Sequence, residues 1–225
     1  MNQPEDPALN TKKLQRADAP ASTREPSPPE KAENPQARRT REWLRSALIE
    51  LMKEKPLSEI SINELVQKSD LSRSAFYNHY ADKLDILREY AEELYIGYID
   101  TVTAAHTVSQ FENWKILLQH YADNKEFYIL ILQNDLLPML YDIQMKYHGL
   151  MGEAVERTLA RSIKDKELYY SIFVPYHRSA ELRMTLEWLQ GSIHKSLDDM
   201  AWLFYSFSSQ DAYENFRMLL SKEHT

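Results

Sequence analysis

The chain has 225 residues, a net charge of −7, 43% hydrophobic residues, four glycines and no cysteine. The absence of cysteine excludes disulfides, thiolate metal sites and cysteine catalysis, and it suits a reducing, cytoplasmic compartment. No apolar run approaches the about 20 residues of a membrane span. The polar, Pro-rich N-terminus also lacks the apolar core of a secretory signal.

The N-terminal segment differs in composition from the rest of the chain. Seven of the ten prolines fall within residues 1–35, which hold almost no large apolar side chains. Such a segment cannot bury enough surface to offset the entropy lost on ordering. We therefore predict that residues 1–36 form a disordered Pro-rich tail that is dispensable for folding.

The first folded segment is predicted to be a helix with a clear end. Apolar residues from Trp43 to Met52 recur at spacings of three and four, which places them on one helical face. Pro56 stops this helix, because the residue before a proline disfavours the helical conformation. Further along, Asp82 can cap another helix, whose apolar residues continue to Tyr98.

Between these helices the sequence predicts two short helices joined by a tight turn. Ser61 and Glu64 have the spacing of a capping box at the first, and Ser72 can cap the second, about 73–78. One small core is expected from Ile62, Leu65, Val66, Leu71, Ala75, Phe76 and Tyr80. The free face of the second short helix carries Ser72, Arg73, Ser74, Tyr77 and Asn78. These hydrogen-bonding side chains have the size that a helix in the major groove requires.

The stretch from Leu57 to Leu87, LSEISINELVQKSDLSRSAFYNHYADKLDIL, closely resembles the DNA-binding domain of the TetR family of bacterial regulators. The resemblance covers about residues 40–90. It implies a three-helix head, a helical regulatory domain and a homodimer that binds a palindromic operator in double-stranded DNA. It also implies that Ser61, His79 and Lys83 contact phosphates. The residues on the free face of the second short helix would contact DNA bases or the DNA backbone.

The rest of the chain keeps a helical apolar period. We predict helices near 110–122, 125–136, 138–162, 179–195 and 198–221. The whole chain is therefore expected to be all-α with about nine helices. Its predicted domains are a helix-turn-helix head at 37–85 and an effector-binding and dimerisation domain at 86–225.

The last two helices are apolar on more than one side, so they need burial on two sides. The domain core can cover one side and a second subunit the other, which agrees with the dimer that the TetR resemblance implies. The predicted interface residues are Leu182, Met184, Leu186, Trp188, Trp202 and Phe204. A monomer with a thick core is the alternative. The segment WLQGSIHKSLDDMAWLF also resembles the C-terminal domain of a TetR subgroup from Gram-positive bacteria.

Catalytic and cofactor motifs are missing from the sequence, which contains no GxGxxG, GxxxxGK, HExxH or GxSxG. We predict no cofactor, no metal site and no enzymatic activity. The predicted function is a DNA-binding transcriptional regulator, a repressor, that responds to a small ligand. The ligand would contact Tyr98, Tyr121, Tyr128 and Phe173, although tyrosines at such positions can equally be packing residues. The alternative is a regulator controlled by a protein partner that docks on the C-terminal domain.

Overall fold

The computed structural model describes residues 34–104, 109–147, 171–172 and 174–208. Within these residues it contains nine α-helices, one 3-10 turn and no β-strand, which confirms the predicted all-α class. The elements are α1 (Pro35–Glu54), the 3-10 turn (Leu57–Glu59), α2 (Ile62–Lys68), α3 (Arg73–Tyr77), α4 (Lys83–Ala104), α5 (Gln110–Asp123), α6 (Lys125–Gln133), α7 (137–147), α8 (Val174–Gln190) and α9 (Leu197–Phe207). The predicted tail lies outside the described residues up to position 33.

The capping box predicted from the sequence opens α2. The Ser61 hydroxyl accepts a hydrogen bond from the Glu64 backbone N–H at 3.2 Å, and the Glu64 carboxylate accepts one from the Ser61 N–H at 2.9 Å. These bonds satisfy two backbone donors that the first turn of a helix leaves without a partner. The Lys55 ammonium lies 2.5 Å from Glu64 and lowers the pKa of that carboxyl to about 2, so the capping group stays ionised.

The start of α4 differs in detail from the prediction. Asp82 accepts a hydrogen bond from the neighbouring Lys83 N–H, but Asp85 makes the larger contribution. The Asp85 carboxylate reaches back to the N–H groups of Ala81, at 3.1 Å, and Asp82, at 2.9 Å. The helix then runs without a break through the boundary that we predicted at 85/86. One rigid element therefore belongs to both halves of the molecule.

The bounds of α8 correct the predicted helix at 179–195. Pro175 lies in the first turn of α8 rather than before it, where a missing N–H costs nothing. The helix ends at Gln190 because Gly191 adopts a φ of 88°, which glycine reaches without strain. The next helix, α9, opens with a second capping box between Ser196 and Asp199.

The helices pack around one continuous hydrophobic core that extends from Leu44 in the head to Phe204 in α9. In the head α1 packs on α2 and α4, while α6 also contacts α1. In the second half α5 packs on α4, α6, α8 and α9. Among the described helices, none combines the length and the apolar character needed to cross a bilayer.

Candidate DNA-binding site

The core of the head holds α3 in a fixed orientation. Leu65 of α2 and Phe76 of α3 are completely buried, and α2 packs on α3. The turn between α2 and α3 is closed by the Leu71 N–H, which donates to the Val66 carbonyl at 2.9 Å. Asp70 occupies the left-handed region of this turn with a φ of 54°, a conformation that aspartate tolerates better than most residues. This turn and core fix the direction in which α3 points its other face.

The face of α3 away from the core is open to solvent. The structure brings together there all five side chains that the sequence assigned to the free face, namely Ser72, Arg73, Ser74, Tyr77 and Asn78, and each is exposed. The Ser72 hydroxyl accepts a hydrogen bond from the Ala75 N–H at 3.0 Å and so caps the helix. The Tyr77 ring is 53% exposed, although its inner edge packs on Phe76.

Arg73 and Tyr77 form a pair on this face. The guanidinium carbon of Arg73 lies 5.9 Å from the centroid of the Tyr77 ring, within the range of a cation–π contact. Within the described part of the chain Arg73 has no carboxylate partner, whereas Arg45 and Lys55 are paired with glutamates. The charge of Arg73 is therefore available for a DNA base or phosphate, and the tyrosine ring restricts where the guanidinium points.

The three residues predicted to contact phosphates differ in the partners that they already have within the protein. Ser61 is exposed, but its hydroxyl donates to the Glu64 carboxylate at 2.8 Å. His79 is half-buried, with its ring beside that of Tyr80. The Lys83 ammonium donates to the backbone carbonyls of Leu57, at 2.5 Å, and Ile60. Lys83 therefore holds the turn before α2, a role that the sequence did not predict.

The predicted effector residues lie in the core of the second half. Tyr98, Tyr121 and Tyr128 are all buried. Their hydroxyls are hydrogen-bonded to Asn113 at 3.0 Å, Gln144 at 2.7 Å and His120 at 2.9 Å, respectively. Burial raises the pKa of each of these tyrosines and keeps the hydroxyls neutral. Phe173 lies outside the described residues.

A groove of about 440 Å³ opens beside this tyrosine cluster, between α4, α5 and the start of α9. Its lining includes Tyr98, Lys115, Gln119, His120 and Leu197. Burial lowers the pKa of His120 to about 4, so its ring is neutral near pH 7. The groove therefore offers a small molecule the polar side chains of Lys115, Gln119 and His120.

The structure divides the predicted interface residues into two groups. Leu182, Leu186 and Phe204 are between 0 and 4% exposed and fill the core of their own protomer, so they are not available to a partner. This finding corrects the prediction for these three residues. Met184 and Trp188 are half-buried, and Trp202 is 55% exposed with its ring 4.4 Å from that of Phe111. Exposed aromatic surface on α9 thus extends to α5, which the sequence did not indicate.

Asn134, at the end of α6, is a further residue that the sequence did not single out. Its side-chain oxygen accepts a hydrogen bond from the backbone N–H of Leu57 in the head, at 2.6 Å. The two residues are 77 positions apart, so no local pattern marks the contact. The only signal was that an asparagine often ends a helix.

Two short helices joined by a tight turn, with the second exposing a polar face above a buried core, define a helix-turn-helix protein. No family model matches the chain. A stretch of 74 residues is 34% identical to an uncharacterized HTH-type transcriptional regulator, YxbF, of Bacillus subtilis (strain 168). That match covers 32% of this chain and about a fifth of the length of the relative.

Solved structures extend the likeness to most of the chain. Lin0861 from Listeria innocua superposes with a TM-score of 0.62 at 17% identity, covering 84% of this chain and 96% of that protein. FadR from Thermus thermophilus, described as a TetR family transcriptional repressor in complex with lauroyl-CoA, gives a TM-score of 0.54 at 16% identity, covering 74% and 92%. The chain therefore has the fold of TetR-family regulators, as predicted. The relatives whose names state a role are transcriptional regulators and not enzymes.

Proposed function

We propose that the protein is a transcriptional repressor that binds a palindromic operator as a homodimer and places α3 in the major groove. The observation that carries this proposal is the exposed polar face of α3, held above the buried Phe76. Arg73, Tyr77 and Asn78 supply donors and acceptors of the kind that read base edges. The described head pairs most of its other cations with glutamates, so the free Arg73 contributes disproportionately to recognition.

The operator sequence can be identified by an experiment in which the full-length protein selects the duplexes that it binds from a pool of random DNA. We expect an inverted repeat whose half-sites are separated by about one helical turn, because a two-fold symmetric dimer presents two copies of α3. Affinity for the selected duplex should fall steeply as salt rises, since phosphate contacts release counterions. A reporter placed behind that duplex then distinguishes repression from activation. Enrichment of no sequence would contradict the proposal.

A small effector is the form of control that we favour. The supporting observation is the groove of about 440 Å³ beside Tyr98 and His120, a volume suited to a metabolite. The lauroyl-CoA complex of the Thermus protein shows that one protein of this fold holds a ligand. A Gln119→Ala variant, at an exposed residue of the groove lining, should bind the operator like wild type without effector and respond to it more weakly.

Control by a protein partner is the second candidate, and the exposed aromatic surface on α9 supports it. Trp202 is 55% exposed and its ring lies 4.4 Å from that of Phe111 and 5.6 Å from that of Tyr205. Exposed aromatic surface of this kind is typical of protein contacts. A second subunit would cover the same surface. If the protein is already a dimer through α9, that surface is not free for another partner.

A further inference from the structure

The turn that connects α1 to α2 is held by side chains from outside the first three helices. The Leu57 N–H donates to the Asn134 side-chain oxygen at 2.6 Å, and Asn134 immediately follows α6 in the regulatory half. The Leu57 and Ile60 carbonyls accept hydrogen bonds from the Lys83 ammonium at the start of α4. The position of the turn therefore depends on the positions of both α4 and α6.

Asn134 is itself fixed to the end of α6. Its side-chain amide donates to the Leu130 carbonyl at 2.8 Å, so the opposite oxygen is directed at the head. The helix ends there because Asp135 takes a φ of 56° and the Leu136 N–H returns to the Ile131 carbonyl at 3.0 Å. Because these bonds leave the Asn134 side chain little freedom, a shift of the last turn of α6 carries the acceptor with it.

The other end of this contact leads directly to the reading helix. Leu57 and Ile60 are buried, and Ile60 precedes Ser61, the N-cap of α2. The helix α2 packs on α3, and Leu65 of α2 and Phe76 of α3 are both completely buried. A partly buried N–H that loses its acceptor is costly, so head positions that keep the Leu57–Asn134 bond are favoured over those that break it.

We propose that Asn134 is a positioning residue for DNA binding: it couples the end of α6 to the start of α2, in addition to the covalent connection through α4. This inference rests on the proposed function of the head. An effector that displaces the last turn of α6 would break the bond and change the population of heads oriented for the operator. Asn134 thus provides a route of control separate from movement of α4.

The test compares Asn134→Ala with a matched control in the full-length protein. Asn124 ends α5 as Asn134 ends α6, and its amide donates to the His120 carbonyl at 2.9 Å, but its side chain has no hydrogen bond to the head. Asn124→Ala and Asn134→Ala therefore each remove one helix-end bond, and only the second also frees Leu57. Affinity is measured by fluorescence anisotropy with the duplex selected by wild type, and stability by thermal melting.

We expect Asn134→Ala to bind the operator about fivefold more weakly, which is the ratio that one hydrogen bond of ordinary net strength gives. Asn124→Ala removes one bond rather than two, so it should lose less thermal stability than Asn134→Ala and stay close to wild type in affinity. Asn134→Asp keeps an oxygen for the Leu57 N–H and loses only the bond to Leu130, so it should restore most of the affinity while remaining less stable. A purely structural role would not separate affinity from stability in this way.

Hydrogen exchange at the Leu57 amide gives a readout that needs no DNA. The amide should exchange faster in Asn134→Ala than in wild type, Asn124→Ala or Asn134→Asp. Unchanged exchange, or an operator affinity in Asn134→Ala that falls no further than in Asn124→Ala, overturns the inference. Failure of the wild type to enrich any sequence contradicts the proposed function instead, so the two failures are distinguishable.

Discussion

Arg73 combines three properties that few side chains in the described head share: it is exposed, it has no carboxylate partner within the described residues, and its direction is restricted by the Tyr77 ring. An arginine held against an aromatic ring has less side-chain entropy to lose on binding a base than a freely moving one. We therefore expect the contact between Arg73 and Tyr77 to favour specific binding over nonspecific attraction to phosphates. The spacing of four residues that allows the contact is visible in the sequence, whereas its distance of 5.9 Å comes from the structure.

Replacement of Arg73 tests this role directly. Arg73→Ala should weaken binding to the selected operator by roughly 1–3 kcal/mol if the guanidinium reads a guanine through two hydrogen bonds. Arg73→Lys keeps the charge but not the planar fork, so it should retain nonspecific binding and lose specific affinity. Titrations of the selected duplex and of a scrambled duplex distinguish the two. Operator affinity equal to that of wild type in both variants would mean that α3 is not the reading helix.

A buried carboxyl in α8 predicts a pH dependence of stability. Burial raises the pKa of Glu181 to about 7 from its ordinary value of 4.5, against the opposing effect of the Arg178 guanidinium at 3.2 Å. Between these two pH values the folded protein holds a proton that the unfolded chain has released. The contribution of Glu181 to stability therefore falls as pH rises from about 4.5 to 7.

Glu181→Gln removes this titration. Between pH 5 and 8 the free energy of unfolding of wild type, relative to this variant, should decrease by roughly 1–3 kcal/mol. Urea unfolding curves of both proteins at the two pH values measure the difference. Other titrating residues are present in both proteins, so their contributions to the pH dependence largely cancel. One of them is His120, whose pKa is lowered by burial to about 4. Parallel pH profiles would show that Glu181 is ionised in the folded protein throughout this range.

At the scale of elements, the 3-10 turn at Leu57–Glu59 is bonded to the start of α4 and to the end of α6. The carbonyls of Leu57 and of the following Ile60 accept hydrogen bonds from Lys83 of α4, and the Leu57 N–H donates to Asn134 after α6. Lys83 was expected to contact phosphate, as the TetR resemblance implies. These two bonds use two of the three ammonium protons, so one proton remains for a phosphate while Lys83 still holds the turn.

A Lys83→Met variant distinguishes the two roles, since it keeps the stem of the side chain and loses the donors. If Lys83 holds the turn, the variant should be less stable by roughly 1–3 kcal/mol and keep the salt dependence of operator binding. If it contacts phosphate, the slope of log affinity against log salt should fall by about one unit with stability unchanged. Lys68→Met, at an exposed lysine with a distant ion pair of 3.9 Å, serves as the control for loss of a surface charge.

How far the sequence predicts the elements depends on whether the signal is local. Short spacings predicted the capping at Ser61 and Ser72, and apolar periodicity predicted each helix that the structure describes after α4. The predicted start of α8 at residue 179 is too late, because Pro175 lies in the first turn of the helix, where proline is tolerated. The true end at Gly191 was a local signal that periodicity outweighed.

Contacts between residues that are far apart in the chain could not be predicted from the sequence, for a physical reason. A helix with two apolar faces does not state which face meets its own core and which meets a partner. The sequence therefore could not distinguish Leu186 from Trp202 as interface residues. The structure shows that Leu186 is buried in the core of the protomer and that Trp202 lies at its surface. The bond between Leu57 and Asn134 likewise depends on how α6 crosses α1, which no single helix encodes.

For the whole molecule, the decisive property is the number of heads that bind DNA at once. In the homodimer that we propose, two α3 helices at a fixed separation would convert the second binding event into an intramolecular one, so operator affinity would depend on the dimer. The exposed ring of Trp202, stacked on Phe111 and next to Tyr205, lies at the centre of the surface that we propose for the interface. Exposure of 55% for a tryptophan in the lone protomer leaves a large apolar area to be covered.

Trp202→Glu places a charge on that surface, where burial by a partner would leave it without compensation. Because the ring is more than half exposed, the protomer should still fold, as circular dichroism would verify. We expect the variant to sediment as a monomer and to bind the operator at least about tenfold more weakly, since the second head no longer binds as part of the same particle. Trp43→Glu is the matched control, because Trp43 is 54% exposed but lies on α1 in the head, and this variant should remain dimeric. A folded Trp202→Glu protein that still sediments as a dimer would place the interface on another surface and leave the aromatic face of α9 open to a protein partner.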